Sequence, residues 1–184
     1  MNVYDFDGTI YRGDSTIDFY FFCLRKHPFI IRRFPSQMIG FIKYKLHRKS
    51  KKELKETFFI FLKDISITDQ FLQLFWIKHK HKIEKWYLIQ QQTNDLIISA
   101  SPYFLLYPLC SSMNIDLIAS EVDCNTGKFI SENCYGIEKV NRFHQRYPSV
   151  TFENFYSDSY SDAPLKELAN QAFMVRKGKI TIWE

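Results

Sequence analysis

Two aspartates that follow a short apolar run at the start of the sequence constrain the fold of this chain more than any other feature. Val3 and Tyr4 form an apolar run typical of a buried strand. Asp5 and Asp7 follow it, and alternate strand residues point to one side, so both carboxylates can reach one site at the strand's carboxyl end. Gly8 then lets the backbone turn, and two carboxylates held this close favour a divalent cation between them.

Further apolar runs predict the other strands of an α/β fold. They lie at residues 95–98, 115–120, 152–156, 172–175 and 180–183, and a small β-hairpin is expected from residues 122–123 and 128–130. Helical segments separate the first four of these strands. Strands that alternate with helices predict a central parallel sheet flanked by helices, with ligands bound beyond the strands' carboxyl ends.

Between the first and second strands, residues 12–92 show no strand alternation. Apolar residues recur there at helical spacing, in runs over residues 17–25, 29–47, 51–62 and 68–91. Pro35 is expected to interrupt the second of these runs. The segment is therefore predicted to be an all-helical insertion.

The positive charge of the chain is concentrated in the same insertion. Residues 25–63 contain twelve Lys or Arg but only two acidic residues, whereas the remainder contains 13 basic and 18 acidic residues. Such a segment indicates an anionic partner, either a phosphorylated substrate or a membrane surface. Nucleic acid is not expected, because the aromatic residues of the segment have the spacing of a helical core.

Cations and prolines divide the most apolar region, residues 17–46, so no membrane-spanning helix is expected there. A helical cap with its own Phe-rich core is favoured, but a basic amphipathic surface on anionic lipid remains open. Four cysteines without Cys-x-x-Cys spacing, and no signal peptide, predict reduced thiols. The expected location is cytoplasmic, with a peripheral position at the inner face of the membrane left open.

Four motifs resemble those of a known enzyme superfamily. They lie at residues 5–10, 98–102, 136–140 and 158–165. Each has a simpler explanation when taken singly: the serines of the second motif as helix caps, Lys139 as a surface lysine, Asp162 as a cap. In this order, however, they resemble the haloacid dehalogenase superfamily, and the acidic fourth motif is similar to that of its phosphoserine phosphatase-like branch.

This resemblance implies a Rossmann-like catalytic core over residues 1–11 and 93–184 and a helical cap over residues 12–92. It also implies a phosphatase in which Asp5 is the nucleophile, forming an aspartyl-phosphate. Asp7 would be the general acid and base.

The resemblance further implies the residues that hold the metal and the phosphoryl group. The metal would be Mg²⁺, and its residues would be Asp5, Asp7 through its backbone carbonyl, Asp158, and Asp162 through the water shell. The residues around the phosphoryl group would be Thr9, Ser99, Ala100 and Lys139.

The substrate is predicted less directly than the reaction. Asp14 stands near the place where phosphoserine phosphatases hold the substrate's ammonium, although that family usually has Glu there. The layout of the motifs and the cationic insertion are more similar to bacterial phosphatidylglycerophosphatase C-type enzymes, which favours an anionic phospholipid phosphate over a small phosphorylated metabolite. A non-catalytic phospholigand-binding module and transfer to an acceptor other than water stay as alternatives, and a dehalogenase is disfavoured.

Overall fold

The computed structural model describes residues 1–148 and 150–184, and within them it contains one six-stranded sheet. Its strands are β1 Val3–Tyr4, β2 Leu96–Pro102, β3 Asp116–Ser120, β4 Phe152–Ser157, β5 Ala169–Arg176 and β6 Lys179–Ile182. Their order in the sheet is β3-β2-β1-β4-β5-β6. The first five strands are parallel, and β6 is antiparallel to β5. The central parallel sheet is thus confirmed.

Helices cover both faces of this sheet. The helices outside the insertion are α6 Tyr103–Ser112, α7 Ile137–Arg146 and α8 Ala163–Lys166, and those within it are α1 Ser15–Lys26, α2 Phe34–Lys45, α3 Lys51–Phe58, α4 Asp69–His79 and α5 Lys85–Gln90. Val3 packs in one apolar layer with Phe143 of α7. Tyr4 points to the opposite face and packs with Leu106 of α6 and Tyr87 of α5.

The helical insertion shares an apolar layer with the sheet. Trp76 of α4 lies edge-on to Phe6 and Tyr11, with ring centroids 6.0 and 5.9 Å apart. Helices α4 and α5 therefore belong to the layer beneath the sheet. The division into a core (1–11 and 93–184) and a cap (12–92) stays a prediction.

The prediction of one helical run over residues 68–91 is wrong. The chain instead forms α4, a 3-10 helix Lys80–Lys82, and α5. The break arises because this stretch pairs with the loop after β1: Arg12 N–H donates to the Lys82 carbonyl at 2.9 Å, and Glu84 N–H donates to the Ile10 carbonyl at 2.8 Å. Backbone groups used in this way cannot continue a helix.

The segment predicted as a helix over residues 29–47 also differs. It begins as a 3-10 helix, Pro28–Arg33, and continues as α2, with Pro35 in the first turn of that helix. Pro35 thus helps to start a helix and does not interrupt one, because its missing N–H is not needed in the first turn. Over the described residues, no helix is both long enough and apolar enough to cross a bilayer.

The predicted small hairpin is present as a pair of short extended segments. Val122 and Phe129 form an antiparallel bridge. Gly127 turns the chain with a φ of +72°, and a Cβ there would lie 2.4 Å from the carbonyl oxygen of Phe59. Glycine is required both by this φ and by the contact with the insertion.

Candidate active site

The residues singled out in the four motifs meet at the carboxyl end of the sheet. Asp5 directly follows β1, and its backbone N–H donates to the Tyr156 carbonyl of β4 at 2.9 Å. Ser99 lies in β2, and Asp158 directly follows β4. This edge is where open parallel sheets bind their ligands.

Lys139 lies in the first turn of α7 and is almost wholly buried. Gly136, with a φ of +58°, turns the chain into this helix. The ammonium of Lys139 donates to Asp5 Oδ1 at 2.7 Å and to Asp162 Oδ2 at 2.8 Å. Burial opposes its charge, but Asp5 and Asp162 outweigh burial and raise the pKa of Lys139. A permanent cation therefore lies beside Asp5.

Asp158 is held against the turn that follows β1. Its backbone N–H donates to Thr9 Oγ1 at 3.0 Å. Its carboxylate covers Gly8, where an added Cβ would lie 2.1 Å from Asp158 Oδ2. Thr9 is buried and fixes this turn; its side chain does not line the cavity described below, unlike those of Ser99 and Lys139.

Asp7 is held by two donors from different parts of the chain. Ser101 Oγ donates to Asp7 Oδ2 at 2.5 Å, and Ser15 N–H donates to Asp7 Oδ1 at 2.6 Å. Burial raises the pKa of Asp7 to about 6, with a further contribution from Asp14, although these hydrogen bonds oppose the rise. Asp7 can therefore exchange a proton near neutral pH.

The groups around Asp5 include more carboxylates than cations. Burial raises the pKa of Asp5 to about 7, against the lowering effect of Lys139, and Asp162 and Asp158 add to the rise. The pKa of Asp158 is also raised, by burial first and by Asp162 next. Asp162 Oδ1 is buried and has no hydrogen-bond partner among the described residues. Asp5, Asp158 and Asp162 surround a single ammonium, that of Lys139. An additional cation would therefore be stabilised among these carboxylates.

Only some of these carboxylates can share one ion. In residues 1–148 and 150–184, no three His, Cys, Asp or Glu side chains form a metal-binding group. Asp162 is directed to Lys139 and to Ser157, whose Oγ donates to it at 2.8 Å. A divalent ion would thus take the carboxylates of Asp5 and Asp158, and its other ligands would be backbone oxygen and water.

A cavity of about 530 Å³ lies over these groups. Its floor includes Asp5, Asp7, Ser99 and Lys139, and Asp14 lies at its side. Tyr135, Ser159 and Ser161 also line the cavity, and the walls that come from the insertion are mostly apolar. They include Ile17, Tyr20, Phe34, Met38, Phe41, Leu54 and Phe58. The cavity therefore joins a charged floor to an apolar wall.

Ser101 is a site residue that the sequence analysis treated only as a helix cap. In the structure β2 extends to Pro102, and α6 begins at Tyr103. The Ser101 side chain is thus free to bond Asp7, and its N–H donates to Ser99 Oγ at 3.1 Å. Its place two residues after Ser99 in an extended segment is the signal that could have found it.

Lys55 of α3 is a second residue that the sequence analysis missed. Its ammonium donates to the Ala100 carbonyl at 2.7 Å and to Asn133 Oδ1 at 3.1 Å, which joins α3 to the sheet. Burial, followed by the nearby Lys51, lowers the pKa of Lys55 to about 8. In the sequence Lys55 precedes the apolar Phe58 and Leu62 at helical spacing, and a lysine in such a pattern was the available signal.

The family model of the haloacid dehalogenase-like hydrolases matches residues 3–167 of this chain. No curated protein gives a sequence match.

Solved structures share the fold at low sequence identity. A protein with unknown function from Bordetella pertussis Tohama I superposes with a TM-score of 0.75 at 19% identity, covering 94% of this chain and 87% of that one. A probable phosphoserine phosphatase from Vibrio cholerae has a TM-score of 0.60 at 11% identity, with 93% and 55% covered. A phosphoserine phosphatase with a phospho-aspartyl intermediate analogue has a TM-score of 0.54 at 12% identity, with 93% and 83% covered.

Proposed function

Because the chain belongs to the haloacid dehalogenase-like hydrolase family, we propose that it is a Mg²⁺-dependent phosphomonoester hydrolase. The observation that carries this proposal is the floor of the cavity. There the buried Asp5 is paired with Lys139 at 2.7 Å, and Asp7 is held separately by two donors. Such a floor supplies a nucleophile, a fixed positive charge and a proton donor.

In the proposed reaction a carboxylate oxygen of Asp5 attacks phosphorus as the bond to the leaving alcohol breaks. Asp7 gives its proton to the departing oxygen. In the second step of the reaction, hydrolysis of the aspartyl-phosphate, Asp7 takes a proton from the attacking water. The raised pKa of Asp7, about 6, suits it to both transfers.

Positive charge is needed because the nucleophile and the phosphoryl group are both anionic. Lys139 supplies part of it at Asp5. Asp5, Asp158 and the Asp7 backbone carbonyl would hold Mg²⁺, with Asp162 ordering the surroundings, and a bound Mg²⁺ would screen the negative charge of the phosphoryl group.

Hydrogen-bond donors near Asp5 would hold the phosphoryl oxygens. Ser99 and Ala100 line the same cavity as Asp5, and we propose the Ser99 hydroxyl and the local backbone as donors, together with Lys139. Thr9 would contribute to this group by fixing the turn at Asp158.

The proposed substrate is an anionic phospholipid phosphate such as phosphatidylglycerophosphate. The apolar wall of the cavity supports a substrate with an apolar part, since Phe34, Met38 and Phe41 would contact it. The alternative is phosphoserine or another small metabolite, with Asp14 holding an ammonium. Asp14 also accepts from Ile17 N–H at 3.0 Å and caps α1.

Phosphate release from a panel of esters tests the function and the substrate together. We expect Mg²⁺-dependent release that EDTA abolishes, with phosphatidylglycerophosphate in anionic vesicles preferred over phosphoserine. If the wild type prefers phosphoserine and Asp14→Asn loses that preference, the small phosphorylated metabolite would be the substrate. Asn keeps the helix cap and removes only the charge of Asp14. Absence of release from every ester would support a binding module, and phosphorylation of an added alcohol would indicate transfer.

The stability of EDTA-treated protein should fall as pH rises from about 4 to 7. Both Asp5 (pKa about 7) and Asp7 (about 6) titrate above the unfolded value of 3.8, so protonation favours the folded state. Their contribution is fully present below pH 4 and is lost as pH rises through 6 and 7, by roughly 3–4 kcal/mol for each group. Urea unfolding at several pH values measures this, and Mg²⁺ should restore more stability at pH 7 than at pH 5.

The control for this prediction is a variant without the two titrating groups. Asp5→Asn/Asp7→Asn should show a flatter pH dependence over the same range. An equal slope in the variant and in the wild type would assign the dependence to other residues.

A further inference from the structure

Helix α2 of the insertion turns its polar side inward and its apolar side outward, which is the opposite of an ordinary surface helix. Its inward side is polar or small: Gln37 donates to the Phe58 carbonyl at 2.8 Å, and a Cβ at Gly40 would lie 2.5 Å from Thr57 Cγ2. Its outward side is apolar, whereas an ordinary surface helix buries that side. We call this side the α2 face, and its residues are Phe34, Met38, Ile39, Phe41 and Ile42, each 40–53% exposed.

The α2 face is continuous and has apolar neighbours. At 100° per residue its five side chains fall within an arc of about 160°. Phe29 and Ile31 in the preceding 3-10 helix and Leu46 just after α2 are also about half exposed. Single exposed apolar residues are ordinary, but a contiguous set of this size marks an interaction site.

Positive charge surrounds the α2 face, and acidic residues compensate only part of it. Residues 19–52 contain ten Lys or Arg and no Asp or Glu. Arg32 and Arg33 pair with Asp64 at 2.7 Å. By contrast Lys43 and Arg48 are exposed, and neither forms a salt bridge with any described residue. The partner of this surface must therefore accept apolar groups and supply negative charge.

We propose that the α2 face binds the interface of an anionic lipid bilayer. Its apolar side chains would enter the boundary between headgroups and acyl chains, while Lys43, Lys45 and Arg48 would contact anionic headgroups. A second copy of the chain fits less well, because pairing two α2 faces would bring like charges together.

The position of the cavity adds to this argument, and this step rests on the proposed function. Phe34, Met38 and Phe41 belong to the α2 face and also line the cavity over Asp5. A lipid phosphate could thus pass from the bilayer to the floor of the cavity along an apolar surface.

Co-sedimentation with vesicles tests the proposal, using phosphatidylcholine alone and phosphatidylcholine mixed with phosphatidylglycerol. We expect the wild type to bind the anionic vesicles at least tenfold more tightly. Ile39→Gln/Ile42→Gln should weaken that binding about tenfold or more; both residues are exposed and neither lines the cavity. Lys43→Gln/Arg48→Gln should weaken it about tenfold, and added salt should do the same.

Matched controls separate this surface from general stickiness and from catalysis. Ile89→Gln/Ile182→Gln removes two isoleucines that are 86% and 77% exposed elsewhere, and it should bind as the wild type does. Asp5→Asn should also bind normally, so a failure of the proposed hydrolysis would leave this test intact. Thermal unfolding of each variant verifies its fold.

Two results would overturn the proposal. The first is wild-type protein that does not bind anionic vesicles, or that binds them equally well after Ile39→Gln/Ile42→Gln. The second is a concentration-dependent dimer in sedimentation velocity that this variant abolishes, which would assign the α2 face to a second copy of the chain.

Discussion

Asp5→Asn should abolish phosphate release, with kcat falling by about 10⁴-fold or more. Asn has nearly the shape of Asp, but its amide cannot attack phosphorus to give an aspartyl-phosphate. The Lys139 ammonium would keep its bond to Asp162 at 2.8 Å, so the buried cluster would retain a charged pair. Initial rates with the preferred ester and intact-protein mass spectrometry of the phosphoenzyme measure the effect.

The control for this prediction is Asp69→Asn, which makes the same chemical change at an exposed residue in the first turn of α4. It should retain wild-type turnover. Circular dichroism and thermal unfolding should find both variants folded. Full activity in Asp5→Asn, or a wild-type phosphoenzyme labelled at another residue, would contradict the assignment of Asp5.

The sequence was informative about the positions of strand ends because these combine two local signals. A buried strand needs an apolar run, and a ligand site at its end needs polar side chains directly after it. Asp5 and Asp158 satisfy both conditions, and the structure places them after β1 and β4. Ser99 lies inside β2, because that strand extends further than its apolar run.

Backbone hydrogen bonds between segments that are distant in the sequence could not be predicted from the sequence pattern. The break between α4 and α5 arises from hydrogen bonds of Lys82 and Glu84 with the loop after β1, which lies 70 and 74 residues earlier in the chain. Residues 78–82 contain neither Gly nor Pro, and Ile83 and Tyr87 follow Trp76 at helical spacing, so no helix-breaking residue marks this position.

Polar residues with two possible roles were the other source of error. The sequence pattern predicts Ser101 as a helix cap because Pro102 follows it, yet its hydroxyl donates a hydrogen bond to Asp7 at 2.5 Å.

Helix α2 differs from its prediction in which side it buries, since its apolar periodicity predicts that the apolar side lies in a cap core. Its apolar side is exposed, because Gln37 and Gly40 provide the packing face. Periodicity gives the faces of a helix but not which face turns inward.

Asp7→Asn should slow formation of the phosphoenzyme about 10²- to 10⁴-fold from an alkyl phosphate ester and much less from p-nitrophenyl phosphate. An alkoxide is a poor leaving group and needs the proton of Asp7, whereas p-nitrophenolate leaves readily without it. The structure supplies the geometry for this role, since Ser101 and Ser15 hold the carboxyl from two sides at 2.5 and 2.6 Å. Comparing the single-turnover rate of phosphoenzyme formation from the two esters, in wild type and variant, measures the dependence.

Ser101→Ala provides the graded comparison, because it removes one of the two donors and leaves the carboxyl in place. That hydrogen bond lowers the pKa of Asp7, so its loss should raise the pKa further. The acidic limb of the kcat profile for p-nitrophenyl phosphate should then move to higher pH while the alkyl ester remains hydrolysed. If Asp7→Asn instead slowed phosphoenzyme formation from both esters equally, proton donation could not be the role of Asp7 in that step, and its effect would be on the position of Asp5 or on the metal.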